Sequence, residues 1–184
     1  MTEPSLLPTS GFDQKKYDQG LNEKNEANDK FRAGDFVGAL RGYHRTLLYW
    51  LGLNSSPMGG TATSKADINT EDDVSDLDKQ ISVIYSNMAA CQVRLKKVGR
   101  AVECAETALK RNKFNTKAKF RLVQGLIEEG SLIKAGSLLD ELEKDKPDDA
   151  AFKNERAKIA AKEKEAEAKQ RKELGGMFDR GKKN

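Results

Sequence analysis

A 34-residue period runs through the chain, and it leaves little choice of fold. Asn87 and Arg121 stand 34 residues apart, as do Ala101 and Ala135, and Leu95 and Glu129. Residues 79–112 read as helix, short turn, helix, with the turn near Lys97-Val98-Gly99. Residues 113–146 read the same way and turn at Gly130-Ser131. A third copy lies upstream over 14–51 and turns at Gly34-Asp35. A helical hairpin of this length cannot bury its apolar face alone, so it must stack on its neighbours.

The matched positions have physical reasons. Ala39, Ala101 and Ala135 fall early in each second helix. A methyl there lets the two helices of a hairpin approach to about 8–10 Å. Gly34 and Gly130 end first helices, where a left-handed residue is useful. Phe36, Val98 and Leu132 are the apolar residues after each turn, and Tyr43 and Leu139 fill a large slot beyond the alanine. Pro147 stands where the third repeat must stop. Gln124-Gly125 is an unusual pair in the middle of the first helix of repeat three.

The period is broken once. Ala39 and Ala101 are 62 residues apart, so 28 extra residues separate repeats one and two. Residues 53–70 read as a loop insertion rich in Ser, Thr, Gly and Asp. Thr70-Glu71-Asp72-Asp73 then looks like a capping box that starts the next helix early. After the repeats, 147–174 reads as a charged helix of coiled-coil composition, with Asp148-Asp149 as its cap. Phe152 and Ile159 give it a short apolar stripe that should cap the last repeat. Residues 1–12 and the basic tail 175–184 are expected to be flexible. A helix–turn–helix period of 34 is that of the tetratricopeptide repeat (TPR). The expected fold is all-α, a TPR superhelix over 13–146 with a long C-terminal capping helix.

Composition removes several function classes. No stretch approaches the ~18–20 apolar residues of a membrane span. MTEPSLLPTS has no basic region and does not read as a secretory signal. Cys91 and Cys104 have no companion at zinc spacing and read as small packing residues in a reducing, cytoplasmic or nuclear setting. His44, the only histidine, has no partner for metal or catalysis. There is no phosphate loop or nucleophile motif. No enzyme activity, cofactor or metal is expected. Residues 1–152 hold 22 Lys and Arg against 23 Asp and Glu, whereas 153–184 hold 11 against 6. The basic excess therefore lies in the terminal helix, where Lys alternates with Glu without an aromatic face. Neither nucleic acid nor membrane is an expected partner, and the chain is expected to be a monomer.

One set of polar residues needs a different explanation. In such a solenoid the first helices line a concave surface. Lys24 and Asn28, four apart, share a face of the first one. Asn87 interrupts the apolar run IYSNMAAC in the second. Lys117 and Arg121, again four apart, share a face of the third. Three successive helices thus offer Lys, Asn, Asn, Lys and Arg, with no matching acid.

EKNEAND, YSNMAAC and TKAKFR, which supply these five residues, resemble the dicarboxylate clamp of TPR co-chaperones. Such clamps hold the C-terminal Glu-Glu-Val-Asp tail of the chaperones Hsp90 and Hsp70. The resemblance implies that Lys24, Asn28 and Asn87 bind the terminal α-carboxylate. It implies that Lys117 and Arg121 bind the side-chain carboxylate of the final Asp and nearby backbone. A chain end in Asp carries two carboxylates on one residue, which few internal sequences imitate. A general TPR scaffold that binds an internal peptide is the alternative. YHRTLLYWLGL, the insertion after it and the ending LGGMF further resemble the tetratricopeptide repeat protein 9 family, over roughly residues 15–178. The repeat layout is also similar to the TPR half of large immunophilins, without their isomerase domain. Ala27 replaces the glycine usual before the clamp Asn, and Lys113 stands where Pro is frequent.

Overall fold

The computed structural model of the protein describes residues 13–53 and 70–181, with side chains as far as Leu174. The expected flexible N-terminus, most of the insertion and the last three residues lie outside the described residues. Seven α-helices follow in chain order: α1 Gln14–Arg32, α2 Phe36–Leu53, α3 Asp76–Arg94, α4 Val98–Arg111, α5 Thr116–Glu129, α6 Leu132–Asp145 and α7 Ala150–Gly181. α1 packs on α2, α3 on α4 and α5 on α6, and each hairpin packs on the next. α7 lies against α5 and α6.

The three hairpin turns share one closure. Gly34, Lys96 and Gly130 sit at φ of 84°, 59° and 88°. Each donates its N–H three residues back, and the following N–H reaches five back. The pairs are Gly34 to Phe31 with Asp35 to Lys30, Lys96 to Val93 with Lys97 to Gln92, and Gly130 to Ile127 with Ser131 to Leu126. This arrangement satisfies the last carbonyls of the first helix. Glycine adopts it freely, whereas Lys96 carries a Cβ there at a cost of about 1 kcal/mol. The second turn therefore begins at Lys96, one residue before the expected Lys97-Val98-Gly99.

Close approach decides the hairpin packing. Ala39, Ala101 and Ala135 are fully buried. A Cβ on Gly42 would lie 2.7 Å from the Cβ of Ala27, so α1 and α2 touch there backbone to backbone. The missing glycine at 27 is thus answered by a glycine across the contact. Gly125 plays the same part between α5 and α4, because a Cβ on it would lie 2.8 Å from Cγ2 of Val102. α5 runs unbroken through Gln124-Gly125.

Two apolar clusters hold the stack. One gathers Tyr43, Leu47, Trp50, Ile81, Ile84 and Met88 from the first two hairpins. The other gathers Val123, Ile127, Leu139 and Leu142 with Phe152 and Ile159 of α7. Alanines 101, 105 and 108 of α4, with Ala118 of α5, are fully buried and have little bulk to hold the helices apart. Buried Ser82 ties this region together. It donates to the Ala108 carbonyl at 2.8 Å and accepts from Asn115 at 2.8 Å.

Two boundaries differ from the sequence expectation. The Thr70 box closes a separate 3-10 turn over Glu71–Asp73 rather than starting α3. Val74 then turns extended and buries its side chain, which breaks the helical path, and Ser75 caps α3 anew. At the other end α7 does not stop at Gly175 but continues to Gly181. Asp149 accepts from the Ala151 N–H at its start, and its docked first turns supply the costly nucleus. Propagation through two glycines then costs only about 1 kcal/mol each.

The Gly42 contact generates a reciprocal test. Gly42→Ala should destabilise by about 1–2 kcal/mol, because overpacking outweighs the gain in helix propensity. Adding Ala27→Gly should return stability to near wild type in thermal unfolding. Lys96→Gly should stabilise by about 1 kcal/mol, since it removes the left-handed strain; an unchanged midpoint would contradict that account of the turn.

Candidate functional site

α1, α3 and α5, the first helices of the hairpins, present the polar side chains. On α3 the spacing of seven puts Gln80, Asn87 and Arg94 on one face. On α5 Lys117, Arg121 and Gln124 share a face by spacings of four and three. Polar contacts then join the helices across this surface.

Lys24 projects from α1 and donates to Oε1 of Gln80 on α3 at 2.8 Å. Its ammonium lies 5.8 Å from the ring centre of Trp50, within cation–π reach. Trp50 is fully buried, stacks on Tyr17 at 5.4 Å and donates its indole N–H to the Tyr17 carbonyl. A Cβ on Gly20 would run into this indole, so the ring lies directly on the α1 backbone. Burial lowers the pKa of Lys24. An arriving carboxylate would restore what burial has removed from its charged form.

Asn28 and Asn87 meet one turn further along. The Tyr43 hydroxyl donates to Asn28 Oδ1 at 2.8 Å, and Asn87 Nδ2 approaches the same oxygen at 3.4 Å. Both amides are only half-buried, whereas Ser86 and Met88 beside Asn87 point into the protein and are buried. Asn87 is thus the side of α3 that faces Asn28. The Tyr43 phenol is pushed up to about 12, first by burial and then by the neighbouring Cys91. Donation from Asn87 and the charge of Arg32 oppose that shift.

Arg121 is half-buried and donates to Oε1 of Gln124 at 2.7 Å. Its guanidinium lies 5.7 Å from the Phe120 ring centre. Burial lowers its pKa, Arg94 adds to that, and Glu155 opposes it. Arg94 and Lys117 are exposed, and no ion pair engages either of them among the described residues. Three cations therefore face one region, with buried Glu155 as the nearby carboxylate.

The structure thus links Lys24 to α3 through Gln80, and it joins Asn28 directly to Asn87. Lys117 and Arg121 share α5, which packs on α3, but no hydrogen bond joins them to the other three. Sequence reasoning missed the supporting residues. Gln80 was findable, because it stands seven residues before Asn87. Tyr43 reads in the sequence only as a slot filler, and nothing there marks Trp50 as the ring beneath Lys24. Glu155 was findable from Phe152 and Ile159, which put it within their apolar stripe. A concavity of about 540 Å³ lies between the start of α6 and the middle of α7, and none of the five residues lines it. Among the described residues no cluster of metal-ligating side chains occurs, and no helix is long and apolar enough to cross a membrane.

No family model matches the sequence. Several solved structures share the fold. The C-terminal TPR-containing domain of a Plasmodium falciparum FK506-binding protein aligns at TM-score 0.66 and 22% identity, over 86% of this chain and 97% of that one. The first TPR of Spaghetti (RPAP3), solved bound to the HSP90 peptide SRMEEVD, gives 0.59 and 21%, over 83% and 97%. The second TPR domain of human RPAP3, solved with the HSP70 peptide SGPTIEEVD, gives 0.58 and 16%, over 79% and 98%. At these identities the likeness is one of fold: the chain is an all-helical TPR superhelix.

The Tyr43 phenol sets a pH test. Its folded value of about 12 exceeds the ordinary 10.0, so the folded state holds this proton more tightly. Stability from this group is complete below pH 10 and is lost as pH rises through about 12. Tyr43→Phe should remove that part of the alkaline loss in denaturant titrations between these limits. A variant whose alkaline profile matches wild type would rule the phenol out as its source.

Proposed function

We propose that this chain is a binding adaptor that grips the acidic C-terminal tail of an Hsp90- or Hsp70-type chaperone through Lys24, Asn28, Asn87, Lys117 and Arg121. The observation that carries the reading is the state of these groups. Lys24 and Arg121 are partly desolvated cations without a carboxylate partner in an ion pair, and Lys117 is exposed beside Arg121. Burying charge without a partner is unfavourable, so a surface that keeps such groups together favours an anionic ligand. Asn28 and Asn87 add amide donors, and a terminal carboxylate needs several donors at once.

The number of groups suits the ligand. Charge-assisted hydrogen bonds contribute about 1.5–3 kcal/mol each. A few of them suffice for micromolar affinity, about −8 kcal/mol, after ordering costs. Capture of a chain-terminal carboxylate is a recurrent recognition mode. The structural neighbours solved with chaperone tail peptides lend support, as does the sequence resemblance to the clamp. Kinship with the tetratricopeptide repeat protein 9 family belongs to the same proposal, as does action in the cytoplasm.

Calorimetric titration decides it. A free-acid Met-Glu-Glu-Val-Asp peptide should bind at about micromolar Kd and weaken as salt rises. The C-terminal amide of that peptide should lose most of the affinity, as should a Lys117→Ala, Arg121→Ala double variant. Equal binding of acid and amide would point instead to a scaffold for internal peptides. No binding of the free acid would remove the proposal.

A further inference from the structure

The terminal helix reaches into the candidate site. Glu155 of α7 is only 4% exposed and sits between Phe152 and Ile159, which are buried in the second apolar cluster. A carboxylate so placed is strongly unfavourable unless it is paired. Its partners are Nε2 of Gln124 at 2.9 Å and Nζ of Lys158 at 2.9 Å. Gln124 then presents its other end to Arg121, whose Nη1 donates to Oε1 at 2.7 Å.

An amide has two unlike ends, and this asymmetry matters. The Glu155 carboxylate can only accept, so it selects the NH2 end of Gln124. The carbonyl end is thereby turned to the guanidinium, which can only donate. Without the carboxylate the amide is free to rotate. Arg121 alone would then hold the carbonyl end, and with its NH2 end unanchored the Gln124 side chain could swing away and take the guanidinium with it. Phe152, Glu155 and Ile159 lie on one face of α7 at spacings of three and four, so the relay exists only while α7 is docked.

We propose that Glu155 is a positioning residue that sets the Arg121 guanidinium through Gln124, so that docking of α7 and capture of an anionic ligand on α5 are one coupled equilibrium. The ligand half of this inference rests on the function proposed above, and the positioning half does not. Lys158 is 54% exposed and stays solvated without Glu155. Removing one partner of a buried pair is costly when it strands the other charge out of water, and here the charge left behind, on Lys158, is in water. Glu155→Leu should therefore keep α7 docked and the thermal midpoint close to wild type while it breaks the relay.

The test combines two readouts on the full chain. In side-chain nitrogen NMR without ligand, Arg121 should show slowed guanidinium rotation in wild type. Glu155→Leu should abolish that signature, and Glu155→Gln should retain it, because a second amide can still accept from Gln124. In titration with the free-acid Met-Glu-Glu-Val-Asp peptide, Glu155→Leu should bind about tenfold more weakly, the loss of roughly one charge-assisted hydrogen bond. Glu155→Gln should stay close to wild type. Hydrogen exchange should show the peptide protecting amides in the first three turns of α7, although the peptide does not touch them. A Glu155→Leu protein with an unchanged guanidinium signal, or with the signal lost and peptide affinity unchanged, would overturn the proposal. If wild type binds no peptide, the function reading and the coupling fall together, and positioning is judged by the guanidinium signal alone.

Discussion

Close approach of paired helices is the constraint on which the rest of the molecule depends. At Gly42 and Ala27 the backbones of α1 and α2 nearly touch, and at Gly125 α5 meets Val102 of α4 in the same manner. Small residues confer no large burial energy themselves. They set the distance at which Tyr43, Trp50, Ile81 and Ile84 can interlock, and these residues supply the apolar contact. The spacing also reaches the polar surface. Tyr43 can place its hydroxyl 2.8 Å from Asn28 only because α2 lies so close to α1. The packing of the second helices thereby fixes the side chains of the first.

The polar surface is built against a gradient. Lys24 is drawn down onto Trp50 and Arg121 onto Phe120, so each trades water for an aromatic face. Cation–π contact of about 1 kcal/mol offsets part of the desolvation but not all of it. Burial still leads the causes that lower the pKa of both groups. Neutral amides and the Tyr43 phenol fill the space between them. Gln80 accepts from Lys24 and Gln124 accepts from Arg121, each without cancelling the charge it contacts. The result is a row of oriented donors whose positive charge is largely uncompensated, set on helices rather than loops.

Much of this was legible in the sequence because it follows from a period. The 34-residue repeat gave the hairpins, the buried alanines and the faces that carry Lys24, Asn28, Asn87, Lys117 and Arg121. What stayed hidden depends on contacts between residues with no fixed spacing. Lys96 occupies a left-handed turn position that glycine holds in the other two repeats, and nothing in its side chain announces that. The capping box at Thr70 is a true local signal, yet it closes only a 3-10 turn because burial of Val74 overrides helix continuation. The expected end of the helix at 174 falls short of Gly181, because Gly175 and Gly176 do not stop it. A helix already nucleated elsewhere can carry two glycines. The pairing of Ala27 with Gly42 needed both helices in view, since either residue alone reads as a departure or an accident.

The insertion between the first two hairpins shows how tolerant this architecture is. Of the 28 extra residues, 18 fall in the connection between repeats, 22 residues from α2 to α3 against four from α4 to α5, and the others lengthen α2, α3 and the turn after α3. α2 and α3 still pack against each other, and their residues form one apolar cluster with α1 and α4. An insertion inside a hairpin would instead separate α1 from α2 and loosen the Gly42 contact that aligns Tyr43 with Asn28. Sequence can therefore be added between repeats without moving the donors, whereas the turns at Gly34, Lys96 and Gly130 are held to a single length by their paired backbone closures.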